Sequence, residues 1–194
     1  MGAVLDHYGA EDVTIIGVSL GGELCMRAAA MEPRIRRVVS WSVLPSIYGA
    51  LMADKPAEIR AKLEHWLDEN NRDAILDLYA GLAEREPLFR WSIQHSNYAY
   101  GTSDVYEYLQ KARAFTIEPV AERITQDVLL LSAREDLLVD FALYKQEIDL
   151  LKNTRSLEFA APGRALNGQA HCNMGNTKYM LDLILNWNDR MLER

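Results

Sequence analysis

Cysteine is nearly absent from this chain of 194 residues: only Cys25 and Cys172 occur. Two thiols cannot build a disulfide framework, and both read as reduced cysteines of a cytoplasmic protein. Long apolar runs are missing too. No stretch approaches the roughly 20 residues that a membrane-spanning helix needs, and the first residues lack the basic-then-apolar pattern of a signal peptide. Positive charge is in deficit, with 21 Lys and Arg against 28 Asp and Glu for a net charge of −7. That balance argues against nucleic acid or an anionic membrane as partner. The local basic group Arg34, Arg36 and Arg37 reads as the solvated start of a strand. Of the four histidines, His7, His65 and His95 have no neighbours at metal-ligand spacing, so no metal and no organic cofactor is implied. There is no internal repeat and no low-complexity segment. What remains is ordinary globular composition, 49% hydrophobic and 25% charged, enough for one domain or a core with an added block.

The most informative stretch is Val13 to Gly22, VTIIGVSLGG. A β-branched run ends in Gly17-Val18-Ser19-Leu20-Gly21, and the helix former ELCMRAAAM follows at once. This is G-x-S-x-G in a strand–turn–helix setting, the arrangement of a nucleophile elbow. The sharp turn strains the serine backbone, so small residues must flank it, and Gly21 and Gly22 let the helix approach the sheet. Ser19 Oγ is then expected to project above the strand end. The Leu20 amide, at the start of the helix, is expected to face the oxyanion of a bound acyl group.

Such a serine needs an acid and then a histidine later in the chain. The run Val128-Leu129-Leu130-Leu131-Ser132-Ala133 reads as a buried strand, and Arg134-Glu135-Asp136 follows it. Asp136, just past the strand end, is the leading acid, with Glu135 and Asp140 as fallbacks. The one downstream histidine is His171, in Gly168-Gln169-Ala170-His171-Cys172. The interval leaves room for a helix (138–151), a strand (155–160) and a loop carrying the base. In this reading His171 takes the Ser19 proton, and Asp136 fixes the imidazole tautomer and steadies its cation.

The rest of the pattern sets these motifs in order. Strand 12–18, helix 20–31 (closed by Pro33) and strand 36–41 come first. From 47 to 115 the periodicity is helical, with helices over about 57–67 and 71–85, a third begun by Pro87, and a fourth capped by Ser103 or Asp104. Strand 127–132, helix 138–151, strand 155–160 and helix 175–192 complete two further βα units. Most of the Trp, Tyr and Phe residues fall between 41 and 115, and Trp91, Tyr98, Tyr100 and Tyr106 are the candidates for a substrate wall. Such a wall suits a flat, apolar small molecule. The plainer alternative is that a small helical block uses large side chains for its own core.

Taken together, the elbow, the acid and the histidine make residues 12–45 and 117–192 resemble the α/β-hydrolase superfamily. Tyr98-Ala99-Tyr100-Gly101-Thr102-Ser103, Tyr106-Glu107-Tyr108-Leu109, Phe115-Thr116-Ile117 and Ala170-His171-Cys172 resemble the branch of 2,6-dihydroxypseudooxynicotine hydrolase, the fungal pigment hydrolases and the dipeptidyl-peptidase-like esterases. The resemblance implies an α/β fold: a partial hydrolase core, with a parallel sheet of about four strands flanked by helices, over 1–46 and 116–194. It also implies an inserted helical cap over 47–115, and cleavage of an ester, an amide or a ketone-adjacent C–C bond. A complete fold of this kind places further strands, and a loop supplying a second oxyanion amide, before the elbow strand. Only about eleven residues precede that strand here, so the chain is expected to be a fragment or a domain without half its sheet. The alternative function is therefore a catalytically impaired interaction domain, with a homo-oligomer or a companion chain covering the elbow-strand edge. Acyl transfer to an alcohol or amine is a third option with the same residues.

Overall fold

The structure is a computed structural model that describes residues 1–53 and 55–194. The β-branched and leucine-rich runs form β1 (Val13–Val18), β2 (Ile35–Trp41), β3 (Asp127–Leu131) and β4 (Ser156–Ala160). They pair in one sheet, all parallel, in the order β1-β2-β3-β4. Parallel neighbours require crossover connections, and helices provide them. α1 (Gly2–Tyr8) precedes β1, and α2 (Leu20–Met31) joins β1 to β2. Between β2 and β3 lie α3 (Ile47–Ala53), α4 (Ala57–Asp68), α5 (Arg72–Arg85), α6 (Pro87–Tyr100) and α7 (Val105–Ala112). α8 (Leu143–Leu150) joins β3 to β4, and α9 (Thr177–Leu192) follows β4.

The chain divides into two compact units, residues 1–53 with 116–194, and residues 54–115. The first unit holds the sheet. Alternation along β2 and β3 sends Val38, Val128 and Leu130 to one face, where they meet Leu5 of α1 and Cys25, Met26 and Ala29 of α2. Val39, Trp41, Leu129 and Leu131 go to the other face and meet Met180, Ile184, Trp187 and Met191 of α9. Those α9 positions recur every three or four residues, which puts them on one helical stripe. Fully burying an aliphatic side chain of this size contributes about 2 kcal/mol, so the two-sided core is what fixes the strand register.

The β1 end of the sheet differs from its centre: among the described residues β1 pairs with β2 alone, and Ile16 and Val18 are 46% and 43% exposed. Arg37 does not sit in a solvated strand start as its sequence neighbours implied. It is buried, because its guanidinium donates to Thr14 Oγ1 at 2.7 Å and to Asp12 Oδ1 at 2.5 Å.

Helix α8 begins five residues later than its periodicity predicts. Asp136 Oδ1 accepts from the amides of Leu138 and Val139, and Asp140 Oδ1 accepts from that of Ala142. These local side-chain bonds capture the amides in turns and delay the helix.

The second unit is helical. Asn71 caps α5 by accepting from the Ala74 amide, and Asp104 caps α7 by accepting from that of Glu107. Glu107 returns the bond by accepting from the Ser103 amide at 2.8 Å, a reciprocal cap. Gly101, at φ 62°, closes α6 in the left-handed conformation that glycine tolerates. Leu63, Leu67, Ile75, Leu109 and Ala112 are buried within it.

Candidate active site

The elbow is built by close approach. Ser19 lies between β1 and α2 with φ 56° and ψ −121°, a strained conformation for a residue with a side chain. Its amide donates to Trp41 O at 2.9 Å, and its carbonyl accepts from the Gly22 amide at 2.8 Å. A Cβ on Gly17 would lie 1.8 Å from Gly21 O, and one on Gly22 would lie 2.4 Å from Ser42 O. Glycine is therefore obligatory at both. The third glycine departs from expectation: a Cβ on Gly21 would meet nothing, so it is the Gly21 carbonyl, not its missing side chain, that crowds the turn. Leu20 is the first residue of α2, where backbone N–H groups have no partner within the helix.

The structure brings Ser19, His171 and Asp136 together. Ser19 Oγ lies 2.9 Å from His171 Nε2, and His171 Nδ1 lies 2.7 Å from Asp136 Oδ2. The residues follow the C-terminal ends of β1, β4 and β3 respectively, so the parallel sheet delivers all three to one rim. The His171 side chain is 25% exposed and that of Asp136 only 2%. Asp136 keeps its other oxygen occupied by the Leu138 and Val139 amides.

Burial opposes ionisation of Asp136, yet the bonds from His171, Leu138 and Val139 hold its carboxyl below the usual value. The same carboxylate, followed by the neighbouring Cys172, raises His171 above the ordinary imidazole range. An imidazole bonded in this way to a carboxylate at Nδ1 presents Nε2 to the hydroxyl and is stabilised when it takes up a proton.

The fallback acids do other work. Glu135 binds Arg164 through both oxygens at 2.6 and 2.7 Å, and its amide donates to Gln169 O at 2.9 Å, tying the acid loop to the histidine loop. Asp140 accepts from the Ala142 amide. Among the described residues no group of His, Cys, Asp and Glu could hold a metal ion, and no helix is long and apolar enough to cross a membrane.

The aromatic candidates all belong to the helical unit. Tyr100 packs edge-on against Tyr108 and Phe115, with centroids 5.1 and 5.0 Å away. Tyr106 donates to Asn70 Oδ1 at 3.0 Å and accepts from Gln110 at 3.2 Å. Both serve packing inside that unit. Trp91 stacks on His95 at 5.1 Å, and Tyr98 is 88% exposed.

Two residues that sequence reasoning did not single out also bear on the rim. Trp41, at the end of β2, receives the Ser19 amide on its carbonyl and donates its indole N–H to Asn173 Oδ1 at 3.2 Å. Asn173 stands two residues beyond His171 with φ 52°.

A four-stranded parallel sheet with a serine at the first βα turn and an acid and a histidine at the following strand ends defines an α/β-hydrolase core. The sequence matches the alpha/beta hydrolase fold family over residues 1–167, and the chain belongs to that family. Among curated proteins it is similar to Hydrolase acrC of Aspergillus aculeatus, 29% identical over 119 residues, which is 55% of this chain and 27% of that protein. The chain thus spans about a quarter of the length of that relative. Among solved structures it is similar to α/β hydrolase GrgF from Penicillium sp. sh18, at TM-score 0.62 and 15% identity, over 97% of this chain and 69% of that one. It is also similar to 2,6-dihydroxy-pseudo-oxynicotine hydrolase, at TM-score 0.55 and 18% identity, over 88% of this chain and 39% of that one. At these identities the structural likeness is one of fold.

Proposed function

We propose that the chain carries a serine hydrolase site in which Ser19 is the nucleophile, His171 the general base and Asp136 the orienting acid. One observation carries the reading: the unbroken hydrogen-bond path from Ser19 Oγ through both imidazole nitrogens to Asp136. Ser19 Oγ adds to the carbonyl carbon of an ester or amide while its proton passes to His171 Nε2. The tetrahedral oxyanion is met by the Leu20 amide. The imidazolium then protonates the departing alcohol or amine as the C–O or C–N bond breaks, leaving an acyl-serine. Water, deprotonated by His171, attacks that ester and regenerates Ser19. A ketone-adjacent C–C bond can enter the same site, with a carbanion as the group that takes the proton. The preference for a small apolar or aromatic substrate rests on the aromatic content of the helical segment.

A fluorophosphonate probe is expected to label Ser19 covalently, seen as one adduct by intact mass, and Ser19→Ala is expected to abolish the adduct. A folded wild-type chain that stays unlabelled would remove the enzymatic reading. It would leave the competing one, a non-catalytic interaction domain, which the exposed Ile16 and Val18 on β1 favour.

A further inference from the structure

Asn173 is fully engaged. Its Oδ1 accepts from Trp41 Nε1 at 3.2 Å, and its Nδ2 donates to Ser132 O at 3.1 Å and to Gly168 O at 2.5 Å. Its own amide donates to Ala170 O at 2.7 Å. The residue is buried, and with Cys172 it forms a left-handed pair directly after His171, at φ 51° and 52°. Asparagine is among the few residues with a side chain that enter this region readily. Each partner leads to a different part of the rim. Trp41 carries the carbonyl that receives the Ser19 amide. Ser132 follows β3 and opens the loop that bears Asp136, and Gly168 opens the loop that bears His171. No other residue of matching size supplies one acceptor and two donors in this place. Aspartate would set a carboxylate against two carbonyls, and leucine would leave three buried polar groups unpartnered.

We propose that Asn173, joined to Trp41, is the positioning residue that sets the Ser19–His171 separation by linking the elbow, the acid loop and the histidine loop. The assignment rests on the hydrolase reading for its consequence in catalysis, but the linkage itself is a property of the folded rim. Trp41 is the half of the link that reaches the nucleophile. Its indole N–H fixes the histidine loop, while its carbonyl fixes the turn that carries Ser19.

The test pairs Asn173→Asp, which reverses the two donors, with Trp41→Phe, which removes the indole N–H and keeps an aromatic ring in place. Two readouts are taken on the full chain: the pH profile of fluorophosphonate labelling, and the titration of His171 followed by NMR of its ring nitrogens. Loss of alignment of about 1 Å is expected to slow labelling on the order of a hundredfold in Asn173→Asp. Trp41→Phe is expected to slow it less, and in this variant, which adds no charge, the His171 midpoint is expected to move. A pair that merely stabilises the fold would lower the melting temperature of both variants, leave labelling of the folded chains at its wild-type rate and leave the His171 midpoint of Trp41→Phe where it is, and that result would overturn the proposal. If Asn173→Asp does not fold, Trp41→Phe decides by the same two measurements. If the wild-type chain does not label, the hydrolase reading fails by itself, and the His171 titration still decides the positioning role.

Discussion

The elbow and the histidine loop each turn through positive-φ backbone, at Ser19 itself (56°) on one side and at Cys172 and Asn173 (51° and 52°), directly after His171, on the other. They hold it by different means. The elbow is fixed by exclusion: Gly17 and Gly22 are pressed so closely against Gly21 O and Ser42 O that no side chain fits. The histidine loop is fixed by attachment, through the three side-chain hydrogen bonds of Asn173 and the Glu135 amide bond to Gln169. Exclusion is set by backbone sterics and resists change. Attachment depends on single polar groups, so it can be altered one bond at a time.

The largest expected effect strikes the attached side. Asp136→Asn preserves shape but favours the wrong imidazole tautomer, and labelling of Ser19 is expected to fall about ten-thousandfold. Stopped-time labelling with intact-mass readout measures this; a loss under tenfold would mean that His171 is oriented by something other than Asp136. On the excluded side, Gly17→Ala must displace backbone, and urea unfolding is expected to show a loss on the order of 3 kcal/mol. Gly21→Ala is the matched control. Its Cβ meets nothing, so it is expected to be neutral or to stabilise by up to about 1 kcal/mol. Equal losses in the two variants would mean that the elbow is not fixed by exclusion at Gly17.

A smaller effect concerns what lies beneath the elbow helix. Glu23, in the first turn of α2, and Glu147 of α8 are buried carboxyls, and neither Glu147 oxygen makes a hydrogen bond of good geometry. Burial pushes Glu147 up to about 8, and the charge of Glu23 adds to the rise. Burial raises Glu23 in the same direction. The folded chain therefore holds protons that the unfolded chain releases near pH 4.5. Stability is fully present below that pH and is lost as pH rises toward about 8, by up to ~1.4 kcal/mol per pH unit for one such group. Glu147→Gln is expected to flatten most of that slope in urea unfolding followed from pH 5 to 8. An unchanged slope would assign it elsewhere.

The same contrast explains what could be read from the sequence. Exclusion leaves a written record, because only glycine survives at Gly17 and Gly22, and the strand–turn–helix setting made the elbow legible. Asp136 was legible because an apolar run ends just before it, and His171 because no other histidine follows. The true α8 start is not legible in the periodicity because Asp136 and Asp140 capture local amides, which periodicity does not register. The burial of Arg37 is not legible in its neighbours because its partners, Asp12 just before β1 and Thr14 within it, belong to another strand. Asn173 and Trp41 were invisible for a deeper reason. Asparagine is ordinary in a loop and tryptophan is ordinary at a strand end, and only their pairing across 132 positions gives either a role. Aromatic content points to Tyr100 and Tyr106 alike, but only the fold shows that the Tyr100 ring packs on Tyr108 of the next helix and that the Tyr106 hydroxyl donates to Asn70.

Ser19, Asp136 and His171 arrive on chain segments far apart, with a separation of 152 positions from Ser19 to His171 and of 35 from Asp136 to His171. No local stretch can form this constellation alone, and three strand ends must be in register before the hydroxyl meets the imidazole. Under the proposed hydrolase reading, labelling of Ser19 would therefore be a sensor of completed assembly: a chain trapped partway, however helical, would stay chemically silent.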